Sequence, residues 1–303
     1  MGTVVTVQVQ PQATPAGDVP GGDERAIDEA IDRAFGWFLE VESACTRFDD
    51  RSELRQLLDV VGRPVPVGAL LFEALRFALA VAEASGGAFD PTVGHAMEAR
   101  GFDREHRTGR RIRTAMTPAG GDGPTFRDVR VDANARAVTL ARPVLLDLGA
   151  VAKGLAVDMA ARELAPLCDF AIDAGGDLYL GGRNPAGDLW SVGIRHPRAA
   201  GRTIATVRVS DRAVCTSGDY ERQDDEGGGH ILDPRRRVPA TSLASATVIA
   251  PSAMAADALA TAAFVLGPDA GLRFLEAQGV DGLLVSDDLT RRQTPGFPAG
   301  DPT

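Results

Sequence analysis

Residues 146–154 read LDLGAVAKG, and the fold can be worked out from this stretch outward. Its apolar start predicts the end of a buried strand that delivers Asp147, and after a glycine-containing turn a helix begins with Lys153 near its first turn. The free N–H groups and the dipole at the start of a helix favour a bound phosphate, and a lysine adds positive charge. The spacing is not that of a P-loop, and the absence of a GxGxxG motif argues against a Rossmann oxidoreductase.

Lys153 is the only lysine in the chain, and the other 31 of its 32 basic residues are arginine. A composition that excludes lysine elsewhere makes this one a candidate for a role that needs a compact ammonium, such as contact with a phosphate. The alternative is a chance lysine on a helix surface. Both interpretations stay open at this point.

The composition excludes several classes of protein. The net charge is −10 over 303 residues, which argues against a nucleic-acid partner, since binding phosphate backbones needs a basic surface. No apolar run reaches the roughly 18–20 residues that cross a bilayer, and the start of the chain alternates like a strand and does not resemble a signal peptide. Three well-separated cysteines fit a reduced compartment without disulfides. We expect a cytoplasmic protein with no transmembrane segment.

Hydrophobic periodicity predicts a mixture of helices and strands, with several consecutive strands, which favours an α+β fold over a parallel βαβ array. We expect one domain over residues 1–286, with two subdomains as an option, and a frayed polar tail over 287–303. Residues 103–127, rich in Arg, Gly and Pro, predict a mobile surface loop. The predicted helices are 23–43, 68–85, 151–165, 253–266 and 269–278, and the predicted strands are 128–132, 136–140, 169–173, 177–181, 190–195, 203–209, 212–216, 248–250 and 280–286.

A second polar segment, residues 86–94, reads GGAFDPTVG directly after a predicted helix. Its glycines would let the backbone come close to a ligand beside Asp90 and Thr92. The alternative is a helix C-cap followed by a turn.

A third segment joins TSGDYE at 216–221 to GHILDP at 229–234. His230 lies between a glycine run and an apolar pair, where it could accept a proton near neutral pH. The alternative is a structural hydrogen bond at the end of a hairpin. The other three histidines have no ligand spacing with it, so a histidine zinc site is not expected.

A fourth segment is the Ala-rich helix that follows Pro251. Asp257 and Thr261 lie four residues apart and so share one face of that helix. A carboxylate among alanines is unfavourable unless something pairs with it. A carboxylate and a hydroxyl one turn apart are hard oxygen ligands that suit Mg²⁺, which completes its shell with water and substrate phosphate. A solvated helix face is the alternative.

Together these segments resemble the ApbE family, the FAD:protein FMN transferases. The resemblance runs in order along nearly the whole chain. Its blocks are MGT at 1–3, TRFDDRSEL at 46–54, GGAFDPTVG at 86–94, DLGAVAKG at 147–154, DAGGDLYLGG at 173–182, TSGDYER at 216–222, HILDP at 230–234 and APSAMAADALATAAFVLG at 250–267.

The resemblance implies a T-fold-like α+β arrangement and a Mg²⁺-dependent reaction in which FAD is a substrate. It implies that a Thr or Ser hydroxyl of an acceptor protein with an FMN-binding domain attacks FAD and that AMP is released. His230 and Asp257 would be catalytic, and Asp257, Thr261 and the carbonyl of Ala150 would hold the metal. The residues implied to contact FAD are Met1, Phe48, Ala88, Phe89, Asp90, Thr92, Asp147, Lys153, Ser217, Gly218, Asp219, His230 and Ile231.

The chain departs from the family pattern at two places. Leu58 stands where the family commonly has an Asn that helps to seat the adenine, and Arg235-Arg236-Arg237 replaces the usual Thr-Gly after HILDP. Two other functions remain open: an FAD pyrophosphatase, in which water replaces the protein hydroxyl, and a non-catalytic FAD-binding protein. A general interaction domain would leave Asp257 and Lys153 without an explanation.

Overall fold

The computed structural model describes residues 2–11, 20–104, 109, 111–112, 114, 123–220 and 229–300. Their helices are α1 (Pro20–Cys45), α2 (Glu53–Leu58), α3 (Ala69–Ala84), α4 (Gly94–Ala99), α5 (Gly149–Leu164), α6 (Ala253–Leu266) and α7 (Pro268–Ala277), with short 3₁₀ turns at Pro91–Val93 and Phe126–Asp128. The strands are β1 (Val5–Pro11), β2 (Val65–Pro66), β3 (Val129–Asp132), β4 (Ala137–Leu140), β5 (Cys168–Ala174), β6 (Leu178–Gly181), β7 (Trp190–Arg195), β8 (Thr203–Val209), β9 (Arg212–Gly218), β10 (Leu232–Asp233), β11 (Val238–Pro239), β12 (Leu243–Ala250), β13 (Asp281–Ser286), β14 (Arg291–Gln293) and β15 (Ala299–Gly300).

The α+β class is confirmed, and the helices and strands that periodicity predicts are present with one exception. The strand end expected just before Asp147 is wrong, because residues 143–148 pair with no other strand of the described chain and form a buried connection between β4 and α5. The elements that periodicity does not predict are α2, α4 and the short strands β2, β10, β11, β14 and β15. All of them are six residues or shorter, which is too short for a helical or alternating pattern to become distinct.

The centre of the fold is a seven-stranded sheet in the order β1-β5-β6-β9-β12-β13-β14, with antiparallel neighbours throughout. Helices α5 and α6 pack on one face of this sheet, and α1 covers α5 from outside. The other face packs against a three-stranded sheet in the order β15-β8-β7. The architecture is therefore helices on a large sheet, which in turn lies on a small sheet.

Strand β12 runs through the middle of the large sheet, and all eight of its residues are buried. Val248 belongs to the core under the helices, whereas Ile249 belongs to the core between the two sheets. A strand covered on both faces needs apolar or small residues at every position, which is why its sequence is a continuous run and does not alternate.

The expected frayed tail after residue 286 is wrong for the part that the structure describes. Strand β14 pairs with β13, and β15 pairs with β8. Phe297 is 5% exposed and belongs to the core between the sheets. Short polar strands at a sheet edge lack the hydrophobic pattern that would predict them, so the sequence alone does not show that this segment is ordered. A single buried residue, Phe297, anchors it.

The expected loop over 103–127 is also wrong at both ends. Asp103 is fully buried and receives a hydrogen bond from Arg111, and Phe126 is buried in the main core. Most of the intervening residues, 105–108, 110, 113 and 115–122, lie outside the described part of the chain. Across the described ranges, no helix is both long enough and apolar enough to span a membrane. The cytoplasmic location and the single domain over 1–286 stay predictions.

Candidate active site

The first turn of α6 is fixed by two side chains. Ser252 caps the helix by accepting a hydrogen bond from Ala255 N at 3.2 Å. Asp158, which reaches across from α5, accepts hydrogen bonds from Ala253 N at 2.6 Å and from Met254 N at 3.0 Å. Three N–H groups at the start of α6 are thus satisfied by protein, and the orientation of α6 relative to α5 is set at this point.

Helices α5 and α6 come very close together at Gly154. A Cβ built on this residue would lie 2.5 Å from the carbonyl oxygen of Ala253 and from the backbone of Met254. Only a glycine permits such an approach. The approach brings the neighbouring Lys153 within 3.7 Å of Oδ2 of Asp257, measured from its Nζ.

Asp257 is 7% exposed, so its carboxylate lies inside the protein. Burial raises its pKa, and the nearby positive charge of Lys153 and of His230 acts in the opposite direction. Its Oδ2 atom has no hydrogen-bond donor among the described residues. One turn further along α6, the hydroxyl of Thr261 lies 3.0 Å from that of Ser217 on β9. The predicted pair on one helix face is therefore accompanied by a lysine, a serine and a histidine.

Lys153 also contacts a second buried carboxylate, that of Asp177, which follows the β5–β6 turn. Asp177 is 3% exposed, so both acidic partners of this lysine are shielded from water. These contacts do not support the interpretation of Lys153 as a chance lysine on a helix surface. Its ammonium lies between two buried carboxylates, and buried charges are unfavourable unless they are paired in this way.

The donor set fits a small hard cation. The backbone of Ala150 departs from helical geometry, with φ −90° and ψ 15°, which turns its carbonyl away from the direction that a regular helix imposes. The orphaned Oδ2 of Asp257 and the hydroxyl of Thr261 are the other oxygens of the expected set. The described residues contain no cluster of three or more His, Cys, Asp or Glu side chains with metal spacing. An ion held by one carboxylate, one hydroxyl and one carbonyl would need substrate oxygens to complete its shell, as Mg²⁺ commonly does.

Asp147 lies at the end of the segment that leads into α5. Its Oδ1 accepts a hydrogen bond from Gly149 N at 2.8 Å, and its Oδ2 accepts one from Nε of Arg47 at 2.6 Å. Its backbone N–H donates to the carbonyl of Pro91 at 2.7 Å. The segments 86–94 and 147–154, widely separated in sequence, are therefore joined side by side.

The segment 86–94 ends α3 as the C-cap interpretation predicts, and it then continues into a loop held by Asp90. Gly86 and Gly87 have positive φ angles of 61° and 79°, and they end α3 as a glycine C-cap does. Further on, Oδ1 of Asp90 accepts hydrogen bonds from the N–H and the hydroxyl of Thr92, and Oδ2 accepts one from Phe126 N. Both oxygens of this carboxylate are used within the protein, so the side chain shapes the loop. Contact with a ligand would fall to the backbone of residues 88–90.

His230 lies beside the cluster just described. It interacts electrostatically with Asp257, and its ring meets the ring of Phe102 edge-on with centroids 6.4 Å apart. The adjacent Ile231 is buried, at 7% exposure. Met1, which the resemblance also places here, lies outside the described residues.

The TSGD segment extends from β9 toward the surface. Asp219 forms a bidentate ion pair with Arg198, with both N–O distances at 2.7 Å, and Arg198 also bonds to Asp287. The carboxylate of Asp219 is thus held by a neighbouring arginine, whereas Ser217 faces Thr261. Gly218 packs so closely on Tyr220 that a Cβ would approach the ring to 2.6 Å.

Three residues of this region received no role from the sequence. Asp158 and Asp177 could have been suspected as single carboxylates inside apolar or glycine-rich runs. Arg47 carries no such mark, because 31 arginines dilute the significance of any one of them. At Leu58, the family departure, the side chain is 2% exposed and belongs to the main core.

The comparisons agree with this architecture. The family model described as "ApbE family" matches residues 1–284. The ApbE protein of Thermotoga maritima, whose crystal structure is known, superposes with a TM-score of 0.80 at 29% identity, covering 97% of this chain and 94% of its own. The chain therefore belongs to the ApbE family.

Two relatives carry a functional name. A protein of Treponema pallidum (strain Nichols), named FAD:protein FMN transferase, is 35% identical over 297 residues, covering 89% of this chain and 81% of its own length. A protein of Haemophilus influenzae with the same name is 29% identical over 246 residues, covering 78% of this chain and 69% of its own length.

Proposed function

We propose that this chain transfers the FMN part of FAD to a Thr or Ser hydroxyl of an acceptor protein, in a Mg²⁺-dependent reaction that releases AMP. The observation that carries the proposal is the buried carboxylate of Asp257, with its orphaned Oδ2 atom 3.7 Å from Lys153 and His230 close by. The names of the two relatives support the same reaction. A carrier that only bound FAD would have no need for a buried, partly uncompensated carboxylate at this point.

Each residue has a defined task in this reaction. Asp257, Thr261 and the Ala150 carbonyl would hold the cation, and Lys153 binds the pyrophosphate as a compact positive charge. When bound, Mg²⁺ supplies charge neutralisation at the pyrophosphate of FAD. The backbone of residues 88–90 and the side chains of Phe48 and Asp147 seat the rest of the substrate.

The chemical step is an in-line displacement at phosphorus. The acceptor hydroxyl oxygen forms a bond to the phosphorus on the FMN side, and the bond from that phosphorus to the bridging oxygen breaks. AMP leaves with the bridging oxygen, and His230 accepts the proton of the hydroxyl. The product is a phosphoester between FMN and the acceptor side chain.

The test is to incubate the protein with FAD, Mg²⁺ and a small FMN-binding domain, and to record AMP and the intact mass of that domain. AMP together with an FMN-sized mass gain supports the proposal. AMP with free FMN and no mass gain would instead identify a pyrophosphatase, and FAD binding without AMP would identify a carrier. A His230→Ala variant that binds FAD but releases no AMP would support the role of His230, whereas loss of folding would return this residue to a structural role.

A further inference from the structure

Arg47 is the only basic residue that is buried in the described part of the chain, at 5% exposure. It follows the last turn of α1 and precedes Phe48, one of the residues expected to contact FAD. A buried cation is unfavourable unless anions and hydrogen-bond acceptors surround it. Its partners therefore indicate why an arginine occupies this position.

The guanidinium of Arg47 points in three directions. Nε donates to Oδ2 of Asp147 at 2.6 Å, Nη2 donates to the carbonyl of Phe102 at 2.5 Å, and Nη1 lies 3.9 Å from Oε1 of Glu98. The other oxygen of Asp147 is held by Gly149 N at 2.8 Å. The Asp147 carboxylate, whose side chain is 19% exposed, is thus fixed by one donor on each oxygen.

Two aromatic residues link Arg47 to the rest of the candidate site. Its guanidinium lies over the ring of Phe48, 4.1 Å from the centroid. The Phe102 residue whose carbonyl it binds presents its ring edge-on to His230. Arg47 therefore contacts Asp147, Phe48 and the backbone of Phe102, whose ring packs against His230.

The network continues away from the site. Glu98 receives hydrogen bonds from the N–H of Thr114 at 3.2 Å and from its hydroxyl at 2.9 Å. Arg55 on α2 donates to the same hydroxyl at 2.9 Å. Glu98 is thus held in place, which leaves Arg47 little freedom to change partners.

We propose that Arg47 is a positioning residue for FAD, which orients the Asp147 carboxylate and the Phe48 ring without touching the substrate. The inference rests on the function proposed above. A guanidinium is planar and donates in several fixed directions, whereas the ammonium of lysine cannot hold a carboxylate and a carbonyl in the same fork. The position therefore requires arginine in particular.

The experiment is a double-mutant cycle between Arg47 and Asp147. The FAD dissociation constant is measured by flavin fluorescence in the presence of MgCl₂ for Arg47→Met, Arg47→Lys and Asp147→Asn, and for both double variants. Arg47→Met is expected to weaken FAD binding about tenfold beside Asp147, and less than about threefold in the Asp147→Asn background. Arg47→Lys keeps the charge, and its FAD dissociation constant should lie between those of wild type and Arg47→Met. Arg51→Met is the matched control, because the Arg51 side chain is 89% exposed and, among the described residues, that side chain bonds only to Asp49.

Two results would overturn the inference. An equal loss of FAD affinity in both backgrounds would mean that Arg47 acts through overall stability, as would a loss that merely follows the melting temperature. If Arg47→Met does not fold, Arg47→Lys completes the cycle with Asp147→Asn and the same criterion applies. A wild-type protein that does not bind FAD at all would defeat the proposed function itself, and the two failures are therefore distinct.

Discussion

At the scale of single residues, the candidate site is built from buried charges that hold one another in place. Lys153 lies between Asp177 and Asp257, and all three are shielded from water to a large degree. Without a bound cation, the ammonium is the group that compensates the Asp257 carboxylate. Removing the carboxylate of Asp177 or of Asp257 should therefore change ligand binding, whereas removing a surface carboxylate should leave it unchanged.

Asp257→Asn should abolish Mg²⁺-dependent turnover, because a neutral amide oxygen is a much weaker ligand for a hard dication than a carboxylate. The measurement is AMP release together with the melting temperature with and without MgCl₂ and FAD. Wild type should gain thermal stability on addition of both ligands, and the variant should not. Asp28→Asn, a change on the exposed face of α1, is the control and should behave as wild type. Full turnover by Asp257→Asn would remove the metal assignment.

Asp158 should make the stability of the protein depend on pH. Burial raises its pKa to about 6 from an ordinary value of 3.8, although the N–H groups of α6 act in the opposite direction. The folded protein therefore binds the proton more tightly than the unfolded chain does. The stabilising contribution is complete below about pH 4 and is lost as the pH rises through about 6, by roughly 3 kcal/mol at most.

The test of this pH dependence is urea unfolding of wild type and Asp158→Asn between pH 4 and pH 8. The difference in the free energy of unfolding, wild type minus variant, should fall over the interval from about 4 to about 6 and stay level above it. A difference that is flat across this interval would contradict the raised pKa.

Residue types alone located part of this site. Asp257, Thr261, Lys153 and His230 each stand out as a polar group in an apolar or glycine-rich run. The structure brings Lys153, His230 and Asp257 together, with Thr261 one turn along α6. Arg47 could not be found in this way, because its partners Asp147 and Phe102 are distant in sequence and only the folded chain brings them together.

At the scale of elements, the distance between α5 and α6 controls the geometry of the site. Gly154 permits a backbone approach that any side chain would prevent, and Lys153 and Asp257 lie next to that contact. The sequence predicted both helices, but it did not predict that they touch. Contact between two helices depends on which small residues face each other after the sheet has formed, and periodicity carries no information about that.

Gly154→Ala should destabilise the protein by about 1–3 kcal/mol, since the methyl group would meet backbone at 2.5 Å and the helices would have to move apart. We also expect weaker FAD binding, because Lys153 would move away from Asp257. The free energy of unfolding in urea and the FAD dissociation constant are the measurements. Gly36→Ala in α1 is the matched control, because nothing lies within 4 Å of its Cβ, and it should stabilise by up to about 1 kcal/mol. Equal effects of the two substitutions would disprove the close-packing argument.

At the scale of the whole molecule, the segment after β13 contributes a strand to each of the two sheets. It adds β14 to the edge of the large sheet and β15 to the small sheet, and Phe297 fills the core between them. The segment therefore connects the two sheets.

Phe297→Ala should lower the free energy of unfolding by about 3 kcal/mol, because it leaves a cavity between the two sheets. Leu289→Ala is the control in the same segment. Its side chain is 37% exposed, and the change should stay within about 0.5 kcal/mol. Urea unfolding followed by tryptophan fluorescence suits the comparison, since Trp190 lies in the same core as Phe297. If both substitutions had the same small effect, the segment would not be anchored by its Phe.

The central place of β12 has a consequence for the order in which the protein can be made. Synthesis proceeds from the N-terminus, and β9 has no partner on one side until Leu243–Ala250 has left the ribosome. Helix α6, which carries Asp257 and Thr261, emerges only after that strand. A nascent chain that already displays Lys153 and Asp177 therefore has neither the completed sheet nor the second carboxylate. Under the function proposed above, binding of FAD and of a cation is therefore confined to the last stage of translation or to the released protein.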